Sequence, residues 1–430
     1  MMLRVLALAV CLQFAAAASA SLIRLDELPG AGTQPGNPAA LDSFMKGVLA
    51  LSNRDLAGAE RRFRESMQLD AKAVEPLIGM ADLALARRQN QEAERWLQRA
   101  QQLAPANATV HHALGRFHFG ARDFARAEAS LRRALSLDGQ HFLAALDLGD
   151  LLLTTLNRPQ DAQAAYRNAV QLRPEHAGAQ HGLGVTLASL GKLDEAEPIL
   201  QRAVALAPAN PLALLSLGRL HQAQRAWDKA QAAFDSALRL QPGLLPAVLG
   251  KADVLMAKGD HPAALALYTE AVRAAPGSDL AQLKLGMAFQ GTGQLGNAQR
   301  AYLEAVRLNP NLAIAYNNLA WMAAEERTNL QQAQRWAERA VSLAPGEPLF
   351  LDTLGWVFRA RGQLAEAERT LERATAMPGA GPVVWYHLGR VYQERGRNRE
   401  ARRAYQRALE LNSDFAPARE ALAQGPRERQ

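Results

Sequence analysis

A small residue recurs along this chain at an interval that hardly varies. Gly47, Ala81, Gly115, Gly149, Gly184, Gly218, Ala252, Gly286, Ala320, Gly355 and Gly389 follow one another every 34 residues, stretched to 35 after Gly149 and after Ala320. A chain of 430 residues would ordinarily divide into two or three globular domains. A fixed period of this length instead requires a stack of like units, each burying its apolar face against the next.

A second series lies twelve residues beyond the first and is alanine throughout: Ala59, Ala93, Ala127, Ala162, Ala196, Ala230, Ala264, Ala298, Ala333, Ala367 and Ala401. In the fourth and ninth units the gap is thirteen, so both extra residues are expected in the loop between the two helices of the unit. A third small position follows seven residues later, as at Ala100, Ala134 and Ala169, with Ser66 as the departure. Between the second and third series stands a bulky residue, such as Phe63, Leu131, Tyr166, Phe234, Tyr268, Tyr302 or Tyr405. Small residues at these spacings let two antiparallel helices approach closely, and the bulky one fills the groove between them. Proline closes most units, at Pro105, Pro174, Pro208, Pro242, Pro276, Pro310 and Pro345, where it ends the second helix. Runs of alternating β-branched residues are absent, and 49% of residues are hydrophobic with only 6% aromatic. The expected class is all-α.

With these residues in view, the chain resembles the tetratricopeptide repeat family, whose unit is a helix–turn–helix of 34 residues. The stretch from Gln180, QHGLGVTLASLGKLDEAEPILQRAVALAPAN, is a nearly complete copy. The resemblance implies a right-handed superhelical solenoid of about eleven helix pairs over residues 40–413, with first helices lining a concave groove that binds proteins or peptides. Residues 414–430 read as a capping helix and basic tail.

The amino-terminal flank reads differently. Residues 1–20, MMLRVLALAVCLQFAAAASA, place one arginine before an apolar run and end in Ala18-Ser19-Ala20, the pattern of a cleavable secretory signal. The apolar run is short for a bilayer span, which needs about 20 residues. Cys11 is the only cysteine, so the processed chain has no thiol chemistry and no transmembrane segment is expected in it. Residues 21–39 are rich in proline and glycine and read as a linker. A periplasmic location is expected.

Motifs for catalysis or cofactors are not convincing. GTGQLG, Gly291 to Gly296, fits the dinucleotide pattern G-x-G-x-x-G, but the frame puts it between two helices with no strand before it, where turn glycines explain it. No H-E-x-x-H pair, nucleophile elbow or reactive cysteine is present, so no enzyme activity, cofactor or metal is expected. The net charge of +7 is concentrated in the last unit, at Arg390, Arg395, Arg397, Arg399, Arg402, Arg403 and Arg407. These arginines form either a solvated face or a contact for an anionic partner such as an acidic polysaccharide. Nucleic acid is disfavoured by the export signal.

Two tryptophans stand out. When the first series is numbered position 8, positions 4, 7, 8 and 11 share the core stripe, and position 9 lies about 140° from its centre. Trp321 and Trp356 both occupy position 9, whereas Trp385 sits at position 4. In the family that it resembles, position 9 faces the groove, as do positions 2, 5 and 12, with positions 6 and 13 near its edge. The expected site therefore gathers Asn317, Asn318, Trp321, Asp352, Trp356, Arg359, Tyr386 and Arg390. Arg395, Arg397, Arg399, Arg402 and Arg403 are the candidate anionic contacts. Such an aromatic and amide patch has the composition of an interface hot spot, although tryptophans wedged between helices would serve packing alone. NNLAW, LDTLGW and YHLG resemble the last repeats of bacterial envelope proteins linked to exopolysaccharide export or exosortase-type sorting. A scaffold binding a protein or peptide partner in the envelope, or a module for an acidic exopolysaccharide, is the function this implies.

Overall fold

The structure, a computed structural model, describes Leu22 and residues 37–424. The expected signal over residues 1–20, most of the linker ahead of Asn37 and the tail beyond residue 424 lie outside the described residues. Among the described residues every element is helical, and the helices form eleven successive pairs followed by the single helix Ala416–Gln424. The chain divides into two compact units, residues 1–247 and 248–430, with the division inside the helix Leu245–Lys258.

Each pair follows from the same local chemistry. The first helix, A, is apolar on nearly every side because it is flanked by its own partner and by the A helices of adjacent repeats. In repeat 2, Glu75–Ala86 buries every residue from Pro76 to Ala84. The second helix, B, buries only a narrow stripe: in Asn90–Leu103 it consists of Ala93, Leu97 and Ala100. Asn329 of repeat 9 apart, one residue per repeat between the two takes a left-handed backbone conformation. It is glycine at Gly191, Gly259, Gly293, Gly362 and Gly396, and Arg or Asn at Arg54, Arg88, Arg122, Asn157, Arg225 and Arg327. Gly293 is the middle glycine of GTGQLG, so that motif is the inter-helix turn of repeat 8. Aspartate caps B helices at Asp55, Asp123 and Asp260, accepting a backbone N–H from the first turn.

The two extra residues are accommodated in different ways. In repeat 9 the added residue lengthens the loop, as expected, between Ala313–Glu325 and Leu330–Leu343. In repeat 4 it does not. There helix A, Phe142–Asp150, runs on into a π-helical turn at Leu151–Thr155, and the loop keeps its usual length. The inserted residue widens the helix because Leu151, Leu152 and Leu153 are all buried, and a π turn keeps them against the core. The expectation of a loop insertion is corrected for this repeat.

The glycines of the first series pack against the bulky residue of helix B. A Cβ added at Gly47, Gly149, Gly218, Gly286 or Gly389 would stand 2.4–2.9 Å from the ring of Phe63, Tyr166, Phe234, Tyr302 or Tyr405. At Gly115, Gly184 and Gly355 it would meet Leu131, Leu200 and Leu371 at 2.6–2.7 Å. Repeat 9 departs from this pairing. Ala320 and Ala337 are both small there, and they share a core cluster with Trp336 and Trp356.

Two consequences are measurable. Gly355→Ala drives a methyl onto the Leu371 branch point and should cost about 1–3 kcal/mol in chemical denaturation. Gly120→Ala, where a Cβ meets nothing within 4 Å, should be neutral or stabilising; equal losses would count against this account.

The second consequence concerns pH. Burial holds the His181 imidazole down to about 4, against an ordinary 6.5, and burial moves His141 the same way. The unfolded chain then binds the proton first, so this contribution is intact above pH 6.5 and is lost as pH falls toward 4. Denaturation at pH 4.5 should show the parent weakened by about 2–3 kcal/mol for each of the two histidines relative to pH 7.5, and His181→Asn should remove about half of that difference.

Candidate interaction site

Three consecutive A helices, Ala313–Glu325, Pro348–Ala360 and Pro382–Glu394, carry the groove residues expected from the sequence. Trp321 and Trp356 do come together: their rings stack with centroids 6.0 Å apart and planes 15° from parallel. Their surroundings differ. Trp356 is only 8% exposed, whereas Trp321 is half-buried. The indole N–H of Trp356 donates to the Glu325 carboxylate on the preceding A helix. The Arg359 guanidinium lies 4.2 Å from the ring centroid of Trp356, and its Nε donates to Glu394 at 2.8 Å. Trp356 is therefore a packed residue with a polar handle, and Trp321 is the member of the pair that retains surface.

A histidine that sequence reasoning passed over completes the arrangement. His387 packs 4.0 Å from the Trp356 ring and 5.4 Å from Trp321. Its Nδ1 lies 2.8 and 2.9 Å from the two carboxylate oxygens of Asp352, and both side chains are buried. Such a buried pair holds its geometry because neither group can lose its partner without a desolvation cost. The signal for His387 lay in its spacing, 35 residues after Asp352. The same offset joins His112 to Asp147 and His181 to Ser216, each at 2.8 Å.

The remaining expected residues divide between packing and surface. Asn318 stands beside the Tyr302 hydroxyl, which donates to Gln290 at 2.6 Å and whose pKa burial pushes up to about 12. Asn317 is half-buried, with its Oδ1 shielded from solvent and lacking a hydrogen-bond partner. Tyr386 packs at tilted and edge-on angles among Tyr405, Phe415 and His387 and accepts a hydrogen bond from Arg390 at 3.0 Å. Trp385, at position 4, is half-buried and packs against the cores of both its own and the preceding repeat.

The arginine cluster is partly neutralised from within. Arg395 donates to Glu368 at 2.8 Å, and Arg397 bonds both Glu368 and Glu400. Glu368 is buried beneath them. Arg399, Arg402 and Arg403 are exposed. Among the described residues no helix is long and apolar enough to cross a membrane, and no group of three His, Cys, Asp or Glu side chains gathers as for a metal.

This geometry separates the two tryptophans energetically. Trp356→Ala removes a buried ring and leaves Glu325 without its indole donor, so it should destabilise by about 3–5 kcal/mol. Trp321→Ala should cost roughly 1–2 kcal/mol, as expected for a ring that is only partly withdrawn from water. Thermal and urea melts of both variants decide it; equal losses would contradict the assignment.

The comparisons agree with this repeat architecture. The sequence profile described as "Tetratricopeptide repeat" matches residues 112–155, 155–211, 215–279 and 283–348, and a second of the same description matches 382–415. No curated protein matches the chain. Among solved structures, the chain is similar to one from the APC/C hetero-tetramer Cut9–Hcn1, with a TM-score of 0.52 at 15% identity over 90% of this chain and 96% of that one. A tetratricopeptide repeat protein from Parabacteroides merdae gives a TM-score of 0.48 at 18% identity, covering 57% and 97%. YrrB, a repeat protein whose description names an unusual peptide-binding site, gives 0.39 at 22%, covering 43% and 95%. Profile matches over more than half of the residues, on helix pairs of the expected length and spacing, establish that this chain belongs to the tetratricopeptide repeat family.

Proposed function

We propose that the protein is a non-catalytic scaffold that binds a protein or peptide partner on the groove side of repeats 9–11. The observation that carries this reading is the contrast at the tryptophan pair. Trp321 keeps surface, and directly behind it stand Trp356, His387 and Asp352, all buried and tied together by hydrogen bonds and stacking. A large aromatic held rigid from behind loses little conformational entropy when a partner covers it, which is the property of an interface anchor.

A polypeptide partner is favoured over an acidic polysaccharide. Sugar stacking needs open aromatic faces, and the Trp356 ring is already covered by His387 and the Arg359 guanidinium. An anion-binding face needs uncommitted cations, and two of the five candidates, Arg395 and Arg397, are engaged by Glu368, which leaves only Arg399, Arg402 and Arg403 for such a contact. We further propose that the chain is exported, processed after Ala20 and works in the bacterial periplasm within an envelope export or assembly complex. The signal-like residues 1–20, the absence of cysteine after Cys11 and the resemblance of the last repeats to envelope proteins support this.

Affinity purification from the native envelope tests both parts. The parent should retain a stoichiometric protein partner, and Trp321→Ala should weaken that association by about 2 kcal/mol, roughly 30-fold. Undiminished retention by Trp321→Ala would refute the site. Amino-terminal sequencing of the recovered chain should begin at Ser21; a chain beginning at Met1 would refute export by cleavage.

A further inference from the structure

The A helix of repeat 2 already holds a piece of this chain. Ile78 and Asp82 lie four residues apart on one face of helix Glu75–Ala86, at positions 5 and 9, and both are buried. A buried carboxylate requires donors. One donor is the backbone N–H of Leu22, sixty residues earlier in the chain, which bonds to Asp82 Oδ1. The Leu22 side chain is 7% exposed and belongs to the same apolar cluster as Ile78, Ala81, Leu114 and Phe117, from the A helices of repeats 2 and 3. Leu22 precedes the first described helix, Pro38–Ser52, by sixteen residues and is not part of the repeat series.

We propose that repeat 2 carries a docking site for a polypeptide, in which Asp82 takes a main-chain amide and the apolar floor takes a leucine, and that its resident occupant is the chain's own Leu22. Main-chain recognition by a carboxylate is indifferent to side chains, so the leucine supplies the selectivity. Tethering makes the occupant's effective concentration high, so an outside peptide of the same chemistry reaches this site only by displacing it. The occupied site in repeats 2–3 and the aromatic site in repeats 9–11 are then different in kind: one holds the chain's own Leu22, and the other is left for a partner. The proposal does not depend on processing, since cleavage after Ala20 leaves Leu22 in the chain.

Hydrogen exchange of the Leu22 amide in the full chain tests this. In the parent the amide should exchange at least about a hundredfold more slowly than in the unfolded chain, at a rate independent of protein concentration. Asp82→Ala should accelerate it about tenfold or more while amides of repeats 8–11 keep their protection. Leu22→Gly, which leaves the solenoid sequence intact, should release the same amide if Asp82→Ala proves too unstable to read. Random-coil exchange at Leu22 in the parent, or no change in a folded variant, overturns the proposal. Protection that rises with concentration and accompanies dimer formation also overturns it, because the occupant would then be a second copy.

Discussion

In eight of the eleven repeats a glycine on the A helix lies directly against a large side chain on its B helix. At Gly389 an added Cβ would stand 2.4 Å from the Tyr405 ring, and at Gly355 2.6 Å from Leu371. The large residue is buried because the glycine is absent as a side chain, and the two helices are held at one separation by that fit. The alanines of the second and third series then allow the neighbouring contacts to close. Since this fit recurs in eight of the eleven repeats, the A helices within each unit meet the next at nearly the same offset.

A constant offset makes polar contacts repeat as well. His112 with Asp147, His181 with Ser216 and Asp352 with His387 all join residues 35 apart, from position 5 of one A helix to position 6 of the next. These pairs stand where adjacent A helices pack, so each is shielded from water, and each locks the junction by satisfying groups that would otherwise be buried without partners. In repeats 10 and 11 the same rung orients the rings that back Trp321. The candidate site is thus a local elaboration of a contact that the architecture supplies elsewhere for stability.

Trp356 shows how packing and recognition share one cluster. Its position on the helix carries the expectation that it faces the groove, yet Glu325, Arg359 and His387 enclose it. This follows from repeat 9, where Ala337 replaces the usual bulky residue and leaves room that Trp336 and Trp356 help to fill. The basic surface of the last repeat has a comparable internal purpose at Arg395 and Arg397, which neutralise the buried Glu368.

The fold was legible in the sequence because its cause is periodic. Two small-residue series in phase over eleven units define two helices, their spacing and their core faces, and the left-handed turn explains GTGQLG without a nucleotide. Helical arithmetic also brought Trp321, Trp356, Asp352 and Tyr386 to one side of adjacent helices. What the sequence left undecided depended on neighbours outside the period. An inserted residue is the same one-residue shift in repeats 4 and 9, but three buried leucines turn it into a π turn in the first, while polar Thr328 and Asn329 let it lengthen the loop in the second. Likewise position 9 specifies a direction and not an exposure. Only the tertiary packing, by setting His387, Arg359 and Glu325 against one ring and leaving its neighbour half-buried, decided that Trp356 is enclosed and Trp321 retains surface.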